Sequence, residues 1–177
     1  MLIDPVIVRD HLAVADDVAR STTERGRALE TLIEHVFLTV PGVTHALRDR
    51  LNAFRSEELD LAFWNERDTH GFYFLPNIIL LESKNWGHPA GSSDVDWFVS
   101  KMRRRGQELG IFLTLRGITG DPEQVTSARH IVASALQEGR KILVIDRQEI
   151  LALRNSDDLV RLLQTKLMSL IVSGTSL

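Results

Sequence analysis

The spacing of apolar positions changes along the chain, and each change marks an element. Residues 4 to 20 read as a first helix, with Asp4 placed to cap it and Pro5 suited to its first position. Ser21-Thr22-Thr23-Glu24 carries the Ser and Glu, three apart, of a capping box. The helix it opens, residues 22 to 38, has Leu29, Leu32, Ile33, Val36 and Phe37 at helical spacing, and Pro41-Gly42 closes it. Residues 43 to 51 fit an edge strand. From Leu59 the period drops to two: Leu59, Leu61 and Phe63 alternate with Asp60, Ala62 and Trp64. Turn-forming residues 65 to 71 follow, and then 72 to 75 and 76 to 84 are expected to run on as extended chain. Ile78-Ile79-Leu80-Leu81 is apolar on both faces, as a strand covered from both sides requires. A helix capped by Ser92 or Ser93 is expected to reach Leu109 and stop at Gly110. Residues 111 to 115 form a short strand, Asp121-Pro122 opens a helix that Gly139 ends, and 141 to 145 read as a buried strand. Residues 146 to 153 and 157 to 172 are helical. This order implies an α/β fold with a mixed central sheet flanked by helices on both faces.

Composition adds limits. With 177 residues, 44% hydrophobic and 25% charged, the chain has the apolar material for a core in one domain. It has no cysteine, which excludes disulfides, zinc–thiolate sites and thiol catalysis, and makes a reducing cytoplasm the expected setting. The start, MLIDPVIVRD, lacks the basic-then-apolar order of a signal peptide. No uncharged apolar run approaches the roughly 20 residues that cross a bilayer, so no membrane partner is expected. The net charge of −3 argues mildly against a nucleic-acid partner, but distribution matters more than total. Lys101-Met102-Arg103-Arg104-Arg105 concentrates positive charge in five residues. Walker A, GxSxG, HExxH and dinucleotide-binding signatures are all missing.

The chemistry concentrates in Leu80-Leu81-Glu82-Ser83-Lys84. Glu82 and Lys84 lie two apart at the end of an apolar strand and therefore share a face. Burying either charge alone is costly, so each needs a partner or a metal. Asp60, between two leucines on the preceding strand, points away from them. If the two strands pair, Asp60 and Glu82 converge on one cation. Glu58, two residues earlier on the same face, is the alternative to Asp60. Two carboxylates beside a lysine suit phosphodiester hydrolysis. Mg²⁺, for which Mn²⁺ can substitute, takes oxygen ligands and substrate phosphate, and the Ser83 carbonyl is a candidate third ligand. The bound metal would activate water, while Lys84 would orient that water or stabilise the phosphorane.

This pattern resembles the PD-(D/E)xK nuclease superfamily: Asp60 matches its aspartate and Glu82-Ser83-Lys84 its (D/E)xK tripeptide. More of the chain is similar to the Mrr-like restriction endonuclease branch. The similar pieces are Gly26-x-x-x-Glu30, Glu82-Ser83-Lys84-Asn85-Trp86, Gly110-Ile111-Phe112-Leu113-Thr114, and the strand Lys141 to Asp146. Many Mrr-like proteins carry Gln at the place of Glu82, so this chain leans toward the wider superfamily. The resemblance covers roughly residues 22 to 153. It implies a restriction-endonuclease-like αβββαβ core, expected within a nuclease-like domain at 22–177; the helical extension at 1–21 lies outside the resemblance and is read as an added packing or dimerisation element. It further implies a Mg²⁺-dependent endodeoxyribonuclease of restriction, phage defence or repair. DNA would be the partner, with a homodimer or a separate specificity or sensor subunit as further expectations. In related enzymes a glutamate of the first core helix approaches the metal, and Glu30 stands at that position. A Holliday-junction resolvase and a non-catalytic DNA-binding or assembly module are the alternatives.

Each assignment has a plainer competitor. Asp60, Glu82 and Lys84 would form a surface ion pair at strand ends, and Glu30 would be an ordinary helix-surface glutamate. Val95, Phe98, Val99 and Met102 supply the buried stripe of their helix, which leaves Lys101, Arg104 and Arg105 facing outward toward DNA phosphates or merely toward solvent. Alternatively, Lys101 points at the site, as a polar residue of this helix does in similar nucleases. Trp86 would stack on a base or sugar, or pack on its own loop.

Overall fold

The computed structural model describes residues 1–51, 58–120 and 127–175, with the side chains of His45, Arg50, Leu51 and Glu58 left outside the description. Two helices come first, α1 (Pro5–Asp16) and α2 (Thr22–Phe37). Three strands follow, β1 (Val43–Leu51), β2 (Glu58–Asn65) and β3 (Ile78–Lys84). The chain then alternates through α3 (Ser92–Arg104), β4 (Leu109–Thr114), α4 (Ser127–Gln137) and β5 (Lys141–Asp146), and ends with α5 (Arg147–Ala152) and α6 (Ser156–Ser173). The strands form one sheet in the order β1-β2-β3-β4-β5. β1, β2 and β3 pair antiparallel, while β3, β4 and β5 pair parallel. The sheet is therefore mixed, as expected.

Helices cover both faces. Phe37 of α2 stacks on Phe63 of β2 with ring centroids 5.0 Å apart, so the odd-numbered side chains of β2 face α2. Leu61 pairs with Leu81, and Leu81 with Ile111, which carries the same face across to β4. The opposite face holds Asp60, Leu80, Glu82, Gly110 and Phe112, and α3 packs on it through Phe98 against Phe112. Ile79, Leu80 and Leu81 are buried, as the doubly apolar run of β3 predicts, although Ile78 at its start is exposed.

Local signals act as the sequence implies at several ends. The Asp4 carboxylate accepts from the Val6 amide, and Pro5 opens α1. Ser21 and Glu24 bond reciprocally, with the Glu24 amide donating to Ser21 Oγ and the Ser21 amide to the Glu24 carboxylate. Gly139, at φ 79°, ends α4, where its amide and that of Arg140 return to the carbonyls of Leu136 and Ala135. The expected opening of that helix at Asp121-Pro122 lies outside the described residues.

Three expectations change. First, neither Ser92 nor Ser93 caps α3: the helix follows Gly91, whose amide donates to Asp94 Oδ2 at 2.8 Å. Second, α3 stops at Arg104 rather than Leu109. The stop signal is Gly106, at φ 64°: its amide reaches the Arg103 carbonyl and the Gln107 amide reaches that of Met102. Those two bonds are the Schellman pair that a left-handed glycine permits. Gly110 sits instead inside β4, where an added Cβ would lie 2.6 Å from the Phe98 ring and 2.8 Å from the Met102 sulfur. Its role is close approach of α3 to the sheet. Third, residues 72 to 75 are a turn and not extended chain. Phe72 and Leu75 are both buried, the Leu75 amide bonds the Phe72 carbonyl, and buried Asn65 Nδ2 donates to the carbonyls of Phe72 and Pro76.

The amino-terminal helix joins the common core through Val8, Leu12 and Ala15. Before it, the Ile3 amide bonds the Arg154 carbonyl and the Ser156 amide bonds the Met1 carbonyl, tying the first residues to the junction of α5 and α6. Among the described residues, no helix is long and apolar enough to cross a membrane.

Candidate functional site

The site forms where the beginning of β2 meets the end of β3. Leu61 pairs with Leu81, so the next residue on each strand, Asp60 and Glu82, turns toward the α3 face. Asp60 Oδ2 accepts from the Ser83 amide at 2.8 Å and from Ser83 Oγ at 3.2 Å. Glu82 is 1% exposed. Its Oε1 accepts from Lys84 Nζ at 2.9 Å and from Lys101 Nζ at 2.8 Å, and its Oε2 accepts from Lys101 Nζ at 2.6 Å. Asp60, Glu82, Ser83 and Lys84 are thus brought together at adjacent strand ends in two neighbouring sets of hydrogen bonds, Asp60 with Ser83 and Glu82 with Lys84 and Lys101, and the competing picture of solvated strand ends does not describe buried Glu82. Glu58, the alternative to Asp60, has its side chain outside the description.

Lys101 is the main correction. The helical pattern turned it outward with Arg104 and Arg105, but it is 4% exposed and lies on Glu82. It follows Phe98 by three positions and precedes Met102 by one, so it falls on the buried arc of α3. The other expectation for it, pointing into the site, describes its position. Arg104 stays exposed with its guanidinium 5.5 Å from the Trp97 ring centroid, and Arg105 donates to the Lys101 carbonyl. Arg103 pairs with Glu138 at 2.6 Å, linking α3 to the end of α4. Trp86 is partly exposed but rests on its own loop, with Lys84 Nζ 5.7 Å from its ring centroid and the His88 ring at 5.3 Å.

The charges around Asp60 perturb one another. Burial first, and the like charge of Glu82 second, raise the pKa of Asp60; the Ser83 amide, Lys84 and Lys101 offset part of this. For Lys84, burial works to depress the pKa, but the attraction and hydrogen bond of Glu82, with Asp60 and Asp94 behind them, outweigh it and the net shift is upward. These neighbours thereby favour the ammonium form of Lys84. Glu30, on α2, is pushed up to about 7 by burial and then by the charges of Asp49 and Asp60. It is half-buried and lines an open cleft with Thr22, Thr23, Gly26, Arg27 and Asp49. Asp49 takes a left-handed backbone conformation at φ 47°, which Asp tolerates better than most residues.

Two residues beside the site received no role from the sequence. Asn85, immediately after Lys84, donates its Nδ2 to the carbonyls of Ala15 at 2.8 Å and Arg25 at 3.1 Å. It thereby pins the end of β3 to the junction of α1 and α2. Asp49 is the stronger of the two like charges that, after burial, raise the pKa of Glu30. The signal for Asn85 was its place next to the tripeptide; Asp49 carried none.

Among the described residues, no three Asp, Glu or His side chains are grouped to hold a metal ion. In kind, however, the donors suit a hard divalent cation: they are carboxylate oxygens, and burial first and neighbouring negative charge second raise the proton affinity of Asp60 and Glu30. A cation among them would relieve that repulsion. No protein-family model and no curated relative matches the chain.

Proposed function

We propose that this protein is a metal-dependent nuclease of the PD-(D/E)xK kind that hydrolyses DNA phosphodiester bonds. One observation carries the proposal: Asp60, Glu82 and Lys84 meet at adjacent strand ends, with Asp60 bonded to the residue between the other two. The order α2-β1-β2-β3-α3-β4 agrees with a restriction-endonuclease-like αβββαβ core. Asp60 and Glu82 would hold Mg²⁺ or Mn²⁺, with the Ser83 carbonyl as a further oxygen donor. The bound ion would make a water more acidic and offset charge developing on the phosphate.

The chain's own groups divide the remaining tasks. The Lys84 ammonium is suited to a phosphate oxygen, because its proton is held firmly by the surrounding carboxylates. Glu30, with a pKa of about 7, is the carboxyl group that can exchange a proton at neutral pH. Arg104 and Arg105, at the carboxyl end of α3, are proposed phosphate contacts, and Trp86 a flanking aromatic contact for the nucleic acid. A homodimer would supply the second active site needed to cut both strands of a duplex, and a separate specificity or sensor subunit would direct the nuclease to its target.

The test is cleavage of supercoiled, linear, methylated and four-way-junction DNA with Mg²⁺ or Mn²⁺. Asp60→Asn, Glu82→Gln and Lys84→Ala should each abolish cleavage, and a chelator should stop the wild type. Cleavage that survives the chelator, or full activity in these variants, would refute the reading. Preference for four-way junctions would move the assignment to a resolvase. One observation favours a non-catalytic DNA-binding or assembly module, namely that both oxygens of Glu82 are already engaged by ammonium groups. DNA binding without cleavage under every metal condition would decide for that module.

A further inference from the structure

Glu82 carries more positive charge than one carboxylate needs. Lys84 belongs to the tripeptide and keeps contact with solvent, its side chain being 21% exposed. Lys101 arrives from a different element, has a side chain only 5% exposed, and contacts both oxygens of Glu82. α3 must lie close to the sheet for this reach, and Gly110 provides the approach beneath Phe98 and Met102, the residues that flank Lys101 on the helix. Packed in this way, Lys101 cannot withdraw to water without moving α3.

We propose that Lys101 is a positioning residue that serves as the built-in counter-ion of Glu82, occupying in the metal-free protein the charge role a divalent cation takes over. This rests on the nuclease reading, because it concerns the same carboxylate. The physical argument has two sides. Without a cation, a buried carboxylate needs ammonium partners, and Lys101 supplies the more enclosed one. With a cation, the fixed charge of Lys101 stays within a few ångströms of it and repels it. Lys101 therefore stabilises the empty site and weakens metal binding at the same time. A residue that merely packed α3 would do the first without the second.

The opposing signs provide the test. Lys101→Met, Lys101→Gln and Lys101→Arg are compared with wild type by thermal unfolding in chelator and by calorimetric titration with Mn²⁺ alone, with no nucleic acid present. The Met and Gln variants should melt lower in chelator yet bind Mn²⁺ about tenfold more tightly or better. Lys101→Arg, which keeps the charge, should retain wild-type metal affinity. If Lys101→Met does not fold, Lys101→Gln decides. Unchanged or weaker Mn²⁺ binding in the neutral variants, or no binding in any of the proteins, overturns the proposal. The nuclease reading fails separately. Mn²⁺ binding that follows the expected order, without cleavage of any DNA by wild type, would refute that reading and leave Lys101 in its role. Metal-dependent cleavage with unaltered affinity in the variants would do the reverse.

Discussion

Asp60 stands between two regions that handle negative charge in opposite ways. On the α3 side, Glu82 is enclosed and neutralised by two ammonium groups, Lys84 and Lys101. On the α2 side, Glu30 and Asp49 face an open cleft, and the half-burial of Glu30, followed by repulsion from Asp49 and Asp60, is answered by a raised proton affinity on Glu30. Both regions hold carboxylates at the end of the same sheet. The difference lies in what each neighbouring helix brings: α3 contributes a lysine on its buried arc, whereas α2 contributes a glutamate. One side is held by ion pairing, and the other keeps a proton that comes and goes near neutral pH.

The largest test of this contrast is removal of the shared acceptor. Glu82→Ala leaves the enclosed Lys101 ammonium without its carboxylate, and breaking a buried pair in this way costs about 3–5 kcal/mol. Asp60→Asn keeps an acceptor for the Ser83 amide and removes a charge that repels Glu82, so it should cost well under half as much. Urea denaturation of the two variants measures the difference. Equal losses would mean that the two carboxylates share one electrostatic environment, and the contrast would collapse.

A smaller effect is expected where α3 meets the sheet. Gly110→Ala puts a methyl group within 3 Å of Phe98 and Met102 by the distances of 2.6 and 2.8 Å, and overpacking of this kind costs about 1–3 kcal/mol. The same shift would move Lys101 from Glu82 while leaving the Glu30 cleft alone. Denaturation should report the loss. A variant as stable as wild type would show that α3 can rise from the sheet without penalty, and that Lys101 is less confined than its burial implies.

How much of this the sequence discloses follows from which forces are local. Caps at Asp4 and Ser21 and the glycine stop at Gly139 act within a few residues, and they are legible. So is the alternation that sends Asp60 and Glu82 to one face, because strand period is a property of the segment itself. The position of Lys101 was harder. A charged residue amid a basic run reads as solvated, and only the carboxylate across the interface makes burial favourable. Its spacing from Phe98 was the available hint. Gly106 and Gly110 lie four apart, and choosing the helix stop between them depends on the packing of Phe98 and Met102 against the sheet. The turn at Phe72 to Leu75 is held by Asn65, whose side chain satisfies carbonyls seven and eleven residues later. Asp49 reaches Glu30 only through the packing of β1 beside α2, which no local pattern encodes.

The finest test concerns the proton on Glu30. Its folded-state pKa of about 7 lies above the ordinary value of 4.5. Below the ordinary value, Glu30 is protonated in folded and unfolded chains alike, and the stability associated with its raised pKa is fully present. Between about 4.5 and 7 the folded chain keeps a proton that the unfolded chain releases, so this stability declines as pH rises, and it is gone above the folded-state pKa. Glu30→Gln removes the titration. The variant and wild type should therefore differ little at pH 4, while at pH 8 the variant should melt higher. Glu30 is only half-buried, so solvent screening holds the gain to about 2–4 °C, the shift that ~1 kcal/mol produces in a domain of this size. Thermal unfolding across that range measures it. A constant difference at every pH would trace the effect to packing of the side chain, and the proton-holding character assigned to the α2 side would be lost.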